Sequence, residues 1–78
     1  MTKFEALIRA ERERQDAKWG LNRNLANEVW LTSLTEEVGE AAKAMLEEDK
    51  EGLKLELVQI AAVTVAWMEC IAHHEEKE

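Results

Sequence analysis

An all-α fold is predicted by three features of this 78-residue sequence. It contains no proline and only three glycines, while the strong helix formers Ala, Leu, Glu and Lys are abundant. Its apolar residues recur at three- and four-residue intervals, the period of a helix with one buried side. The run from Leu57 to Ala72 is almost wholly apolar, and its length favours a helix over a strand, which usually has about 5–6 residues.

The first helix is expected from about Thr2 to Lys18, with Thr2 as N-cap and Phe4, Leu7, Ile8 and Ala10 on its apolar side. Its second half, Glu11-Arg12-Glu13-Arg14-Gln15-Asp16, is too charged for core and reads as an exposed, salt-bridged face. Trp19-Gly20 ends it, and the glycine and asparagines of Gly20-Leu21-Asn22-Arg23-Asn24 suit a loop. The second helix begins near Leu25 or Asn27 and runs to about Glu48, with Leu31, Leu34, Val38, Ala42 and Met45 as its expected buried stripe. A polar connection follows, in which Asp49 can cap the third helix. That helix is apolar nearly all round and must be covered nearly all round. It is shorter than the roughly 20 residues of a membrane span and is interrupted by Gln59 and Glu69. The expected architecture is therefore a helical hairpin protomer assembling into an oligomeric helix bundle, part of this helix being covered by another subunit.

The composition bounds the rest. Residues 1–78 make one domain, and a core this small is marginal without help from a second copy. Cys70 is the only cysteine, so no disulfide supplies that help, and a reduced, cytoplasmic setting is expected. The opening Met1-Thr2-Lys3-Phe4-Glu5 lacks a basic leader followed by an apolar run, so no signal peptide is expected. Ten Lys and Arg against 17 Asp and Glu give a formal charge of -7, which argues against bare nucleic acid or an anionic membrane as partner. An anionic small molecule would need a metal ion between itself and the chain.

Glu36, Glu37 and Glu40 are the residues to examine for such an ion. Three glutamates on a helix either hold a divalent cation or form a solvated face. At about 100° per residue, Glu37 and Glu40 flank the expected stripe beside Ser33, Ala41 and Ala44, whereas Glu36 points away. Small neighbours leave room, and Gly39 lets a ligand approach the helix. Glu56 and Gln59 share a direction on the third helix, and an antiparallel hairpin can set them opposite Glu37 and Glu40. Mg²⁺, with Mn²⁺ as a substitute, suits such oxygen ligands. His73 and His74 beside the acidic tail read as a frayed helix end.

These residues carry a resemblance. Glu36-Glu37-Val38-Gly39-Glu40 followed by Glu56-Leu57-Val58-Gln59, with Gln15-Asp16-Ala17-Lys18-Trp19-Gly20 and the block from Trp30-Leu31 to Glu40, resembles the MazG-like all-α nucleoside triphosphate pyrophosphohydrolases from about Arg14 to Ile71. The resemblance implies Mg²⁺-dependent cleavage of a (deoxy)nucleoside triphosphate to the monophosphate and pyrophosphate, by a homodimer or homotetramer of helical hairpins. It places the metal on Glu37, Glu40 and Glu56, with Glu36 as helper in catalysis. Gln59 stands where the family motif has aspartate; it offers a carbonyl oxygen without charge. For the substrate, Trp19 or Trp30 can stack on a base whose edge Asn22 or Asn24 reads, while Lys43, Lys18 or Arg23 can meet phosphate. Trp30 can equally be core, Trp67 reads as core or interface, and Lys43 can instead pair with Glu40 or Glu47. The rival reading, which Gln59 favours, is a non-catalytic helical oligomerisation or nucleotide-sensing module on the same scaffold.

Overall fold

The structure is a computed structural model that describes the chain apart from Met1, Asn22, Glu78 and the side chain of Lys77. Three helices follow in order, α1 (Lys3–Trp19), α2 (Asn27–Leu46) and α3 (Lys50–Lys77), with α3 packed against both of the others. The boundaries follow from local chemistry. Thr2 and Glu5 form a capping box at the start of α1, each side chain accepting from the other's backbone N–H. Gly20, at φ 96°, closes that helix in a conformation that side-chain-bearing residues rarely adopt.

The α2–α3 connection is three residues long, and each has an assigned place. Glu48 N–H donates to the Met45 carbonyl and Asp49 N–H to the Ala44 carbonyl, the paired bonds of a Schellman motif. Glu48 occupies the left-handed position of that motif at φ 60°, where glycine is usual. Asp49 then turns to the next helix and accepts from Gly52 N–H at 2.9 Å, acting as N-cap of α3. A side chain at position 52 would collide with that aspartate. So tight a connection makes α2 and α3 antiparallel, and Trp67 Nε1 accordingly reaches back to Asn27 Oδ1 at 2.9 Å.

The core differs from the sequence expectation in helical phase. The buried residues of α2 are Trp30, Ala41 and Ala44, with Ser33, Leu34 and Glu37 half-buried on the same side. Of the expected stripe only Leu34 turns inward: Leu31, Val38 and Met45 are each more than half exposed and Ala42 is also exposed. The physical reason is the alanine seam. The buried side of α2 carries Ala41 and Ala44 and that of α3 carries Ala62 and Ala66, at different levels of the hairpin because Asn27 bonds to Trp67, and small side chains let two helices approach closely. Larger apolar residues are left on the outside.

Two further expectations change. The charged half of α1 is not a free surface, for Gln15 is buried and Arg12 and Asp16 are half-buried. Arg12 donates to Glu69 of α3 at 2.7 Å. Conversely Phe4 and Leu7, expected to face inward, are exposed. His73 and His74 lie at the end of α3, and His74 Nε2 contacts Asn24 Oδ1, tying that end to the α1–α2 connection.

Among the described residues no large side chain is fully buried, and thirteen large apolar residues are exposed across all three helices and the first connection. By length and composition alone, α3 is long and apolar enough to cross a membrane.

Candidate acidic site between the helices

Glu37 projects from the inner side of α2 because it continues the 30, 33, 37, 41, 44 spacing of that face. The antiparallel register sets it against Glu56 and Gln59 of α3. With its amide nitrogen turned toward the carboxylates, Gln59 donates to Glu56 Oε2 at 2.9 Å and to Glu37 Oε2 at 2.6 Å. The three side chains thus make one hydrogen-bonded group across the hairpin, and all three are half-buried.

The electrostatics of this group are unusual for a chain of -7 charge. The Glu37 carboxyl is pushed up to about 7, first by burial, then by the hydrogen bond it shares with Glu56, and then by the negative charges of Glu56, Glu40 and Glu11. A carboxyl half-buried against another carboxylate is costly to ionise, so Glu37 retains its proton to near neutrality. Glu11 behaves in the opposite way. The guanidinium of Arg14 grips both its oxygens, at 2.7 and 2.8 Å, and holds its carboxyl below the usual range.

Of the other residues singled out from the sequence, Glu40 is exposed but near enough for its charge to act on Glu37, and Glu36 is exposed on the far side of α2. Lys43 is exposed and takes no part in the ion pairs found among the described residues. A Cβ at Gly39 would meet nothing within 4 Å. Trp19 is half exposed, with Lys18 and Arg23 over its ring. Trp30 is buried at 3% exposure, so it is core, yet it also lines the pockets beside the hairpin. Trp67 is half-buried, and Asn22 lies outside the described residues.

Among the described residues no three His, Cys, Asp or Glu side chains converge as a ready-made metal cluster. The donor chemistry nevertheless fits a hard cation. Mg²⁺ is commonly held by one or two carboxylates, with water and phosphate oxygens completing its shell. A divalent ion would replace the proton on Glu37 beside Glu56, and reversing the Gln59 amide would present its oxygen.

Glu11 and Gln15 are the participants that sequence reasoning overlooked. Gln15 Nε2 donates to Glu11 Oε2 at 2.9 Å, and the Glu11 charge reaches Glu37. Their signal was present in the spacing: Ile8, Glu11 and Gln15 recur at three and four residues, so polar groups continue the apolar side of α1 inward.

Compared with known proteins, the sequence matches no protein-family model and no curated sequence, and the fold matches no solved structure.

Proposed function

We propose that the chain is a Mg²⁺-dependent nucleoside triphosphate pyrophosphohydrolase that cleaves a (deoxy)nucleoside triphosphate to the monophosphate and pyrophosphate. The observation that carries this reading is the Glu37–Glu56–Gln59 group, in which a carboxyl retains its proton up to about pH 7. A structural ion pair would place a cationic side chain there. Here a carboxylate meets a carboxylate, which favours replacement of the proton by a cation. The spacing resemblance to the MazG-like enzymes supports the same residues.

Glu37 and Glu56 would hold the metal, with Glu40 beside them and Gln59 contributing its carbonyl oxygen. Bound there, Mg²⁺ would neutralise phosphate charge and lower the pKa of an attacking water. Rigid helices keep the carboxylates in place, Glu40 can accept the proton of that water from the exposed side, whereas Glu36 lies on the far side of α2, and Lys43 can meet the phosphate tail. The substrate is anionic and the chain acidic, so binding depends on the metal.

Oligomerisation belongs to the same reading. Val29, Leu31, Val38 and Met45 on α2, with Leu57 and Met68 on α3, leave apolar surface that a second copy would cover, giving a homodimer or homotetramer. The unpaired thiol of Cys70 suits a cytoplasmic setting. Burial of α3 between subunits, not insertion in a membrane, explains its apolar length on this account, and no nucleic acid partner is invoked.

The neutral Gln59 amide, which bridges the two carboxylates without a metal, favours a second reading, a non-catalytic oligomerisation or nucleotide-sensing module. A panel of nucleoside triphosphates with Mg²⁺ or Mn²⁺, assayed for pyrophosphate beside Glu40→Gln, separates the two. Release by the wild-type chain that falls at least about tenfold in the variant, a loss of roughly 1.4 kcal/mol of transition-state stabilisation, supports the enzyme. Release that is absent, or unchanged by the substitution, leaves the module.

A further inference from the structure

Three side chains on one face of α3, Trp67, Cys70 and His74, bond in turn to the segment that leads into α2. Trp67 Nε1 donates to Asn27 Oδ1 at 2.9 Å, the Cys70 thiol donates to the Leu25 carbonyl at 3.8 Å, and His74 Nε2 meets Asn24 Oδ1. Spacings of three and four residues keep the three in line on their helix, and their partners run backward along the chain, as the antiparallel hairpin requires. The other end of the connection belongs to α1. Arg23 donates to the carbonyls of Gln15 and Gly20 at 3.3 and 3.2 Å and pairs with Asp16 at 3.5 Å. A cavity of about 340 Å³ lies beneath, lined by residues of α1, the connection and α3, and parting the three bonds would open it.

The last of these bonds can change its charge near neutrality. Trp67, Asn27 and Asn24 do not titrate, whereas histidine is the side chain whose ordinary titration spans about pH 5 to 8. An imidazolium only donates and needs an oxygen opposite it; the Asn24 oxygen is what faces the ring. A charged donor makes a hydrogen bond roughly twice as strong as a neutral one. The surroundings carry the matching charge. To the cavity wall α1 contributes Arg12 and Asp16, the connection Arg23, and α3 Glu69, His73 and Glu76, while α2 contributes only Trp30. Arg12 pairs with Glu69 and Arg23 with Asp16, so the wall's remaining carboxylate is Glu76, and a charged His74 is its complement. His73 is the group that works against it, its ring centre lying 6.4 Å from that of His74.

We propose that His74 and Asn24 form a proton-operated latch, in which charging His74 fastens the α1–α2 connection to α3 and closes the cavity beneath it. The latch stands apart from the catalytic reading and needs neither metal nor nucleotide.

Cys70, the sole cysteine, sits in the middle bond and reports the opening. Its rate of reaction with 4,4′-dithiodipyridine is measured on the whole chain from about pH 5 to 8 and divided by that of glutathione at the same pH, which removes the dependence common to thiols. Glu37 also stabilises the fold toward acid, so the comparison is with His74→Gln, which keeps Glu37 and a donor but cannot charge. From the alkaline to the acid end, protection of Cys70 should rise about fivefold more in the wild type than in this variant, the step from a neutral to a charge-assisted hydrogen bond. His73→Gln should keep the full rise. If His74→Gln does not fold, the wild type decides, because protection should rise with the midpoint of the His74 ring, read by nuclear magnetic resonance. No rise in the wild type, an equal rise in His74→Gln, or a rise that follows the His73 ring instead would overturn the proposal.

Discussion

Glu37 is the residue on which the account turns, because its ionisation couples the fold to the site. A carboxyl raised to about 7 by burial and by Glu56, against roughly 4.3 for a free glutamate, is protonated more tightly when folded. Its contribution to stability is present below the unfolded pKa and is lost as pH rises through about 7. Thermal unfolding should therefore show this part of the stability falling between about pH 4.3 and pH 7. Glu37→Gln, which cannot ionise, should flatten that decline, and Mg²⁺ at pH 8 should raise the melting temperature of the wild type but not of the variant. A wild-type curve that rises steadily across the same window would contradict the assignment. The identities of Glu37, Glu56 and Gln59 were legible in the sequence because helix spacing and an antiparallel hairpin are enough to bring them together. Glu11 was legible only in part: its spacing with Ile8 and Gln15 turns it inward, whereas its approach to Glu37 depends on how α1 lies against α3, which no periodicity within α1 encodes.

At the scale of the element, α1 and α3 were readable from their caps and all three helices from their period, α2 starting at Ala26 without a side-chain cap, whereas the side each buries was not. Thr2, Gly20 and Asp49 mark their boundaries through backbone hydrogen bonding, which is local. The buried side of α2 is set by Ala41 and Ala44 meeting α3, and a stripe of larger residues one step round the helix gave the stronger apolar signal. Hydrophobicity alone cannot tell which of two adjacent stripes meets the neighbouring helix and which is left outside. The seam has a direct consequence. Ala62 is 0% exposed, so Ala62→Leu should lower unfolding stability by about 1–3 kcal/mol through overpacking, measured by urea titration. In the turn, Glu48 holds a left-handed conformation at φ 60°, and Glu48→Gly should raise stability by about 0.5–1 kcal/mol. A loss of stability on that substitution would mean that the Schellman turn does not form in solution.

For the whole molecule, the balance of surfaces points beyond the single chain. An all-α chain with no fully buried large side chain among the described residues and with Leu31, Val38 and Met45 aligned on the outside of α2 is short of core, as its length led one to expect. The expected result of sedimentation at micromolar concentration is a dimer or larger assembly, with Val38→Lys and Met45→Lys together shifting it toward a monomer and lowering its stability. A well-folded wild-type monomer would remove the oligomer from the account. The central claim, that Glu37, Glu56 and Gln59 across the hairpin support hydrolysis between the α and β phosphates, is tested most directly by ³¹P nuclear magnetic resonance of a nucleoside triphosphate incubated with the chain and Mg²⁺. The expected spectrum shows pyrophosphate and the nucleoside monophosphate growing together, with neither formed by Glu56→Gln. Orthophosphate with the diphosphate, an unchanged triphosphate, or products that persist in the variant would contradict it.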